Sequence, residues 1–464
     1  MRRAEGGGAA ATLLRVPILF LLAAAPLALG AVHEPAFIPL LAIGSAVGVA
    51  SWARGYWLRA HGITIPPVEG GRLLVALHAL ILLQLVPLPP AVLRVLSPGS
   101  FAFYEAMSLV PIGWRPVTVN PADTARGFAF LAGMSLLYGA VFREFDDERW
   151  RRRLAGTVVL TACVLTLAAL VQAASAEPTR IYGLWKPQWD WGVFGPYVSR
   201  NHFAGYLAMA IPVAVGFAAE SALQVRRSWA HRRSGWVALG DPAGIAALRR
   251  GAAAMVLMVG LLASHSRGGL LAFGAASLSL VALLRRWRAI LLPLAAAVLV
   301  IGLFWVDVET TRTAFETRGL RQSRLELWGD AARMFPRFPV FGAGFNAFGT
   351  SYTQYQTIAR YEWYGEAHNE YLQALLDLGI VGAVLVAALL WWLLRAGVRA
   401  AAATPLDAGV LGAILAGCIH NVVDFNWQIP ANAATFAALA GLTTRQASTL
   451  TAPEPLPRID PLTP

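Results

Sequence analysis

Charge is what this sequence has least of. Only 14% of its 464 residues are Asp, Glu, Lys or Arg, against roughly a quarter in soluble domains, and that scarcity excludes a soluble globular protein. Cysteine is nearly absent as well. Cys163 and Cys418 are the whole complement, both inside apolar runs, where they read as small packing residues and not as a disulfide framework. There is no internal repeat and no coiled-coil heptad. The histidines, including His202, His265, His368 and His420, are too scattered to form a compact metal-ligand motif. The net charge of +12 carries no nucleic-acid signal, because the arginines cluster in short loops between apolar segments, where they set orientation.

What is present is hydrophobicity: 57% of the residues, with a mean hydropathy of +0.56. It is arranged in runs of about 20 residues, enough to cross a hydrocarbon core of roughly 30 Å. The basic N-terminus and the apolar stretch up to Val32 read as an uncleaved first helix. A signal peptide fits less well, because the run is long and another span follows within a few residues. Further spans are expected near 36–53, 71–90, 124–142, 154–174, 201–219, 251–266, 267–284, 289–306, 370–394, 406–423 and 429–444. With about twelve spans, the chain is expected to be an all-α polytopic transmembrane helix bundle. Residues 91–122, rich in Pro and Gly, are too polar to span and are expected on the membrane surface. Residues 1–175 form N-terminal helices and 195–444 a second membrane unit. Residues 445–464 are expected to be a disordered cytoplasmic tail.

Orientation follows from arginine. Loops holding Arg54, Arg59 and Arg72, then Arg143, Arg149 and Arg151 to Arg153, alternate with arginine-poor ones, as do those holding Arg226 to Arg250, Arg285 to Arg288, and Arg395 and Arg399. The positive-inside rule places these loops and both termini in the cytoplasm. The long polar segment 307–369 is exempt from that rule by its length, and with twelve spans it lies outside, carrying short helices. The same parity gathers Arg200-Asn201-His202, Ser264 to Gly269, and His420 to Ile429 on the outer face. Four polar motifs on one side of a membrane suggest a site.

The chemistry of these motifs is specific in residue type. SHSRGG, Ser264 to Gly269, interrupts an apolar stretch from Ala252 to Leu284 that is too long for one helix, so a turn is expected at Arg-Gly-Gly. Arg267 then either snorkels to headgroups or offers its planar donor fork to a phosphate. Ser323 and Glu326 have the capping-box spacing and are expected to open a helix over 324–335, with Leu325, Trp328, Ala332 and Phe335 as its apolar face. Arg324 would fall in its first turn, favourable for an anion, or be a solvated surface arginine. FPRFPVFGAGFNAFG, at 335–349, reads as a hydrophobic lid near the lipid surface. His368, where the next span begins, is either a proton acceptor or an interfacial cap. His420 and Asp424 are four apart and so share a helical face, fit to orient an imidazole or to bind an acceptor. Tyr182, Trp185, Trp189, Trp191, Phe194 and Tyr197, with Lys186, either stack on sugar rings or anchor an interface.

SRNHFAGYLA, SHSRGGLLAF, SRLELWGDAARMFPRFPVFGAGFNAFG, EAHNEYLQALLDLGIVGAVL and HNVVDFNWQIPANAATFAALAGL, in that order and spacing, resemble the O-antigen ligase/O-antigen polymerase superfamily over residues 195–444. The resemblance implies a metal- and nucleotide-independent, inverting glycosyltransferase of the bacterial inner membrane with its active site facing the periplasm. Its donor would be a glycan on undecaprenyl diphosphate. By motif, Arg267 and Arg324 would hold the diphosphate and His368 would serve catalysis, with Arg200 as a further phosphate contact. Asn201, His202, Asn369, His420 and Asp424 are expected around the substrates. The acceptor is lipid A core, as in a ligase, a second lipid-linked glycan, as in a polymerase, or a protein, as in the related pilin-type oligosaccharyltransferases. No cofactor is implied. A lipid-linked sugar or solute transporter is the reading of another class. It is disfavoured because no charged residue is apparent deep within the spans and the polar motifs gather on one face instead of the midplane.

Overall fold

A computed structural model describes residues 5–188, 192–229, 240–283, 320–357 and 363–451. Its helices in chain order are α1 (Glu5–Leu27), α2 (Glu34–Ala60), α3 (Gly71–Gln84), α4 (Pro90–Leu96), α5 (Pro98–Met107), α6 (Pro121–Glu144), α7 (Glu148–Ala173) and α8 (Arg200–Trp229). They continue with α9 (Pro242–Ala263), α10 (Arg267–Leu283), α11 (Leu320–Met334), α12 (Phe348–Tyr352), α13 (Glu370–Ala400), α14 (Pro405–His420) and α15 (Pro430–Thr451). Local sequence explains many of the starts. Asn120, Asp147, Asn369 and Thr404 each accept a backbone N–H of the first turn, and Pro121 and Pro405 occupy the first turn where a missing N–H costs nothing.

This is a helical membrane protein. Among the described residues, seven helices are long and apolar enough to cross a membrane: α1, α2, α6, α7, α8, α9 and α13. Helices α3, α10 and α14 are apolar but shorter, and α15 has the length but carries Asn432, Thr435, Thr443 and Thr444 along it. Each expected span therefore coincides with a helix except 289–306, which lies outside the described residues, as do Arg285, Arg286, Arg288, Trp189, Trp191 and the tail beyond Thr451. Residues 91–122 form the short helices α4 and α5 and a stretch leading to Asn120, with no spanning helix. Cys163 and Cys418 are unpaired.

One apolar core runs through the first and second halves of the chain, with Leu137, Val158, Tyr206, Ile414 and Ala434 all buried. Helices α8 and α14 make the closest approach. A Cβ on Gly409 would lie 2.3 Å from the Pro212 carbonyl oxygen, so the two backbones touch where no side chain intervenes. Between apolar helices in lipid, such small-residue contact is a main source of adhesion.

Helix α13 is broken. At Gly379, φ is 65° and ψ −171°, a conformation only glycine adopts without strain. The backbone groups freed by the break are bonded by the Phe338–Asn346 segment. Ala343 and Gly344 donate to the carbonyls of Leu376 and Asp377 at 2.9 and 3.1 Å, and Ile380 donates to Pro339 at 2.8 Å. From α3, Gln84 donates to the carbonyls of both Phe341 and Asp377 and accepts from the Phe345 N–H at 3.0 Å. Non-helical backbone at this depth is tolerable only when buried in protein. The expected lid is thus corrected: Phe338 and Phe348 are fully buried and the segment is a plug in the helix break. The expectation of no charged residue within a span is corrected too, since Asp377 is 2% exposed inside α13.

Candidate active site

The polar motifs meet where α8, α10 and α13 begin and α14 ends. Asp424, beyond the end of α14, is the centre of the cluster. One carboxylate oxygen lies 3.7 Å from His202 Nε2 and the other 3.7 Å from His420 Nε2. His420 closes α14 and Asp424 follows in a turn, so the pair meets across a helix end and not along a helical face. All three side chains are more than nine-tenths buried. Asn426 supports the group, its Nδ2 3.3 Å from His420 Nδ1 and its Oδ1 accepting from Asn432, which also binds the His202 carbonyl. Gly205 makes this possible: a Cβ there would fall 2.1 Å from Asn426 Oδ1.

The remaining motifs attach to that centre. Phe425 lies between two histidines, its ring centroid 4.8 Å from that of His202 and 4.9 Å from that of His368. Arg324 Nη1 donates to the Val423 carbonyl at 2.9 Å, which brings its charge within reach of His368 and His420. Ser266 donates to Asn201 Oδ1 at 2.9 Å, joining the start of α10 to that of α8. A Cβ on Gly268 would lie 2.9 Å from His420 Nε2. Arg267 and Arg200 open their helices at the same end and are exposed. Of the candidate residues, Arg324, His368, His202, His420 and Asp424 are brought together, Asn201 is joined to the start of α10, and Arg267, Arg200 and Asn369 lie at the margin.

Three local expectations are revised. The turn before Arg267 is made at Ser264–Ser266, with His265 in the left-handed region at φ 51°. Gly268 and Gly269 are helical and serve close packing against His420 and Ala204. The helix bearing Arg324 starts at Leu320, so Ser323 and Glu326 lie inside it and form no capping box. Its buried face is Leu327, Ala331 and Met334, while Leu325 is 58% exposed. Tyr197, expected to face a sugar or an interface, is 1% exposed and bonded to Asn432, so neither use is open to it.

His368 is held rigidly. Its backbone is left-handed, at φ 51°, between two fixed neighbours. The Ala367 carbonyl accepts from Trp328 Nε1 at 2.9 Å, and the Ala367 N–H donates to Gln373 Oε1 at 2.9 Å. Asn369 caps α13 through the N–H groups of Tyr371 and Leu372, so its side chain is committed to structure. Burial, together with the Arg324 guanidinium, lowers the His368 pKa to about 4, with Asp424 opposing. The imidazole is therefore neutral near pH 7 and able to accept a proton. Burial works against the Asp424 carboxylate, but the imidazoles of His202, His420 and His368 outweigh it and keep it ionised.

Some side chains at the site were not singled out from sequence. Glu366 accepts from Gln373 Nε2 at 2.6 Å, and burial raises its carboxyl to about 7. His202 Nδ1, His368 Nδ1, Asp424 Oδ2 and Glu370 Oε1 are buried polar atoms without a hydrogen-bond partner. Such atoms are few in folded proteins, and these four lie together around the candidate site. Among the described residues, no group of three or more His, Cys, Asp or Glu is arranged to hold a metal ion.

Residues 252–387 match the family model described as O-Antigen ligase. The matched segment carries Arg267, Arg324, His368 and the broken helix. No curated protein matches the chain.

Proposed function

We propose that this chain, whose residues 252–387 match the O-Antigen ligase family model, is a membrane glycosyltransferase that moves a glycan from undecaprenyl diphosphate to an acceptor hydroxyl, as an O-antigen ligase does. The observation that carries this reading is the placing of the Arg324 guanidinium on the Val423 carbonyl, beside a neutral, rigidly held His368. That combination supplies an anion clamp and a proton acceptor in one place.

The chemistry follows from the residues. The acceptor oxygen attacks the anomeric carbon from the face opposite the diphosphate, the carbon–oxygen bond to the diphosphate breaks, and the configuration inverts. Arg324 and Arg267 stabilise the charge that gathers on the departing diphosphate, the kind of preorganised electrostatics that usually contributes most to catalysis. The acceptor proton passes to the His368 imidazole. A pKa of about 4 makes this a weak base in the free protein. Donor binding changes that: diphosphate charge on Arg324 cancels a cause of the depression, so His368 gains basicity when the donor is in place. Asp424 favours the proton on the imidazole and the neighbouring His202 opposes it, and Arg200 and Asn201 border the acceptor. The alternation of arginine-rich loops supports placing this end of the bundle on the outer face of the inner membrane.

A reconstituted assay tests the reading, using purified protein, an undecaprenyl-diphosphate glycan, and lipid A core or a second glycan-lipid as acceptor. Glycan on lipid A core is the expected product. Elongated glycan-lipid would make the chain a polymerase. Movement of labelled lipid-linked sugar across vesicles with no new covalent linkage would replace the enzyme by a transporter.

A further inference from the structure

Far from His368, the last turns of α13 carry Trp391, Arg395 and Arg399, each four residues from the next and so on one helical face. With Trp392, Glu69 and Ser448 they line a cavity of about 350 Å³, within the range of small-molecule sites. The cavity is built by three elements. Gly70, at φ 70°, turns the chain into α3, and a Cβ there would meet the Trp392 ring at 2.7 Å. Tyr138 from α6 donates to the Glu69 carbonyl at 2.6 Å and fixes that turn. Ser448 comes from α15.

Arg395 packs its guanidinium 5.9 Å from the Trp391 ring centroid. Both arginines are exposed, and neither has a salt bridge to a carboxylate among the described residues. Arg395 lies near the C-terminal end of α13, about 24 Å of helical rise beyond the break at Gly379, whereas His368 precedes the N-terminal end of that helix. The cavity is therefore at the headgroup level of the leaflet opposite the candidate active site, where tryptophan is favoured and basic pockets between helices take lipid headgroups.

We propose that this cavity binds a zwitterionic phospholipid headgroup of the phosphoethanolamine type. The phosphate is held by Arg395 and Arg399, and the ammonium by Glu69. The carboxylate sets the choice: a purely anionic headgroup satisfies the arginines but is repelled by Glu69, and free phosphate leaves Glu69 without a counter-charge. None of the lining residues belongs to the candidate active site, so the proposal stands independently of the proposed reaction.

The test uses the full-length protein in detergent, with lipid retention measured by native mass spectrometry. The probes are dioleoylphosphatidylethanolamine, dioleoylphosphatidylglycerol and inorganic phosphate. Phosphatidylethanolamine should be retained several-fold better than phosphatidylglycerol. Arg395→Ala and Arg399→Ala should each weaken it about five-fold, near the value of one basic residue at a membrane surface. Glu69→Gln should abolish the preference by improving phosphatidylglycerol. Equal retention of both lipids by the wild type, unchanged in Glu69→Gln, overturns the proposal. Displacement of the lipid by millimolar inorganic phosphate would assign the cavity to the free ion and overturn it as well. All three variants alter side chains lining the cavity, and an unchanged melting temperature separates loss of binding from loss of fold.

Discussion

Glu144, Glu220 and Asp407, at the end of the bundle where α6 gives way to α7, each carry an arginine. Asp424, Glu366, Glu370 and Asp377, toward the end where His368 lies, carry none among the described residues. Glu144 accepts from Ser51 at 2.8 Å and Arg54 at 3.0 Å, Glu220 binds Arg152, and Asp407 binds Arg151 with Thr404 in support. At the other end the carboxylates face imidazoles and amides, and several of their oxygens have no partner. Buried charge is expensive wherever it occurs. The three carboxylates at one end are neutralised by arginine, while these four at the other leave oxygens that a substrate could bond; Asp330, on the helix that bears Arg324, is paired with Arg333.

Substitutions at the two ends should therefore fail in different ways. The largest effect is expected at the phosphate clamp. Arg324→Ala or Arg267→Ala should lower transfer by about 10²–10³-fold, the usual cost of a lost transition-state donor, while membrane insertion stays intact. Wild-type product from both variants would remove them from the mechanism. His368→Ala should cost roughly 10²-fold with donor binding preserved, which a labelled-donor binding assay would show. If binding falls with turnover, His368 serves the donor and not the acceptor.

Asp407→Ala tests the paired end. It strands the Arg151 charge, and breaking a buried pair costs about 3–5 kcal/mol. The expected result is a lower melting temperature and less protein in the membrane, with transfer per folded molecule unchanged. Reduced turnover in the surviving fraction would show that the two ends are coupled.

The smallest effect concerns pH. Glu366 has a folded pKa of about 7, above its ordinary 4.5. Its contribution to stability is full below 4.5 and is lost as pH rises through 7. His368 is depressed to about 4 from 6.5, so its contribution is full above 6.5 and is lost as pH falls toward 4. Glu366→Gln should then raise the melting temperature above pH 7 by about 2 °C and leave the acid limb unchanged. An identical pH profile in that variant would mean the carboxyl titrates normally.

Much of this was legible in the sequence, and the illegible part has a common cause. Apolar runs located the described helices closely, and the residue types of Arg267, Arg324, His368 and Asp424 pointed to one face. The capping box at Ser323 misled because the same spacing also occurs within helices. The helix break at Gly379 was hidden because its partners, Gln84 and the Phe338–Asn346 segment, lie far away in the chain. Asp377 was the available signal: an acidic residue before a glycine inside an apolar run. Glu366 and Glu370 looked like ordinary loop carboxylates because their burial depends on Gln373, Gln428 and the fold around them.

The break at Gly379 also bears on the order in which the molecule can be made. Every group that closes it, Gln84 from α3 and the backbone from Pro339 to Gly344, precedes Leu376 in the chain. Synthesis runs from the N-terminus, so the plug exists before the carbonyls it must satisfy emerge. The cluster at Asp424 has the opposite schedule. His202 and His368 precede Asp424, and Arg324 precedes the Val423 carbonyl it binds, so all three wait for α14 and the turn after it. The helix that follows His368 can be finished in passing, whereas the cluster around that histidine closes only once α14 and the turn after it have been made.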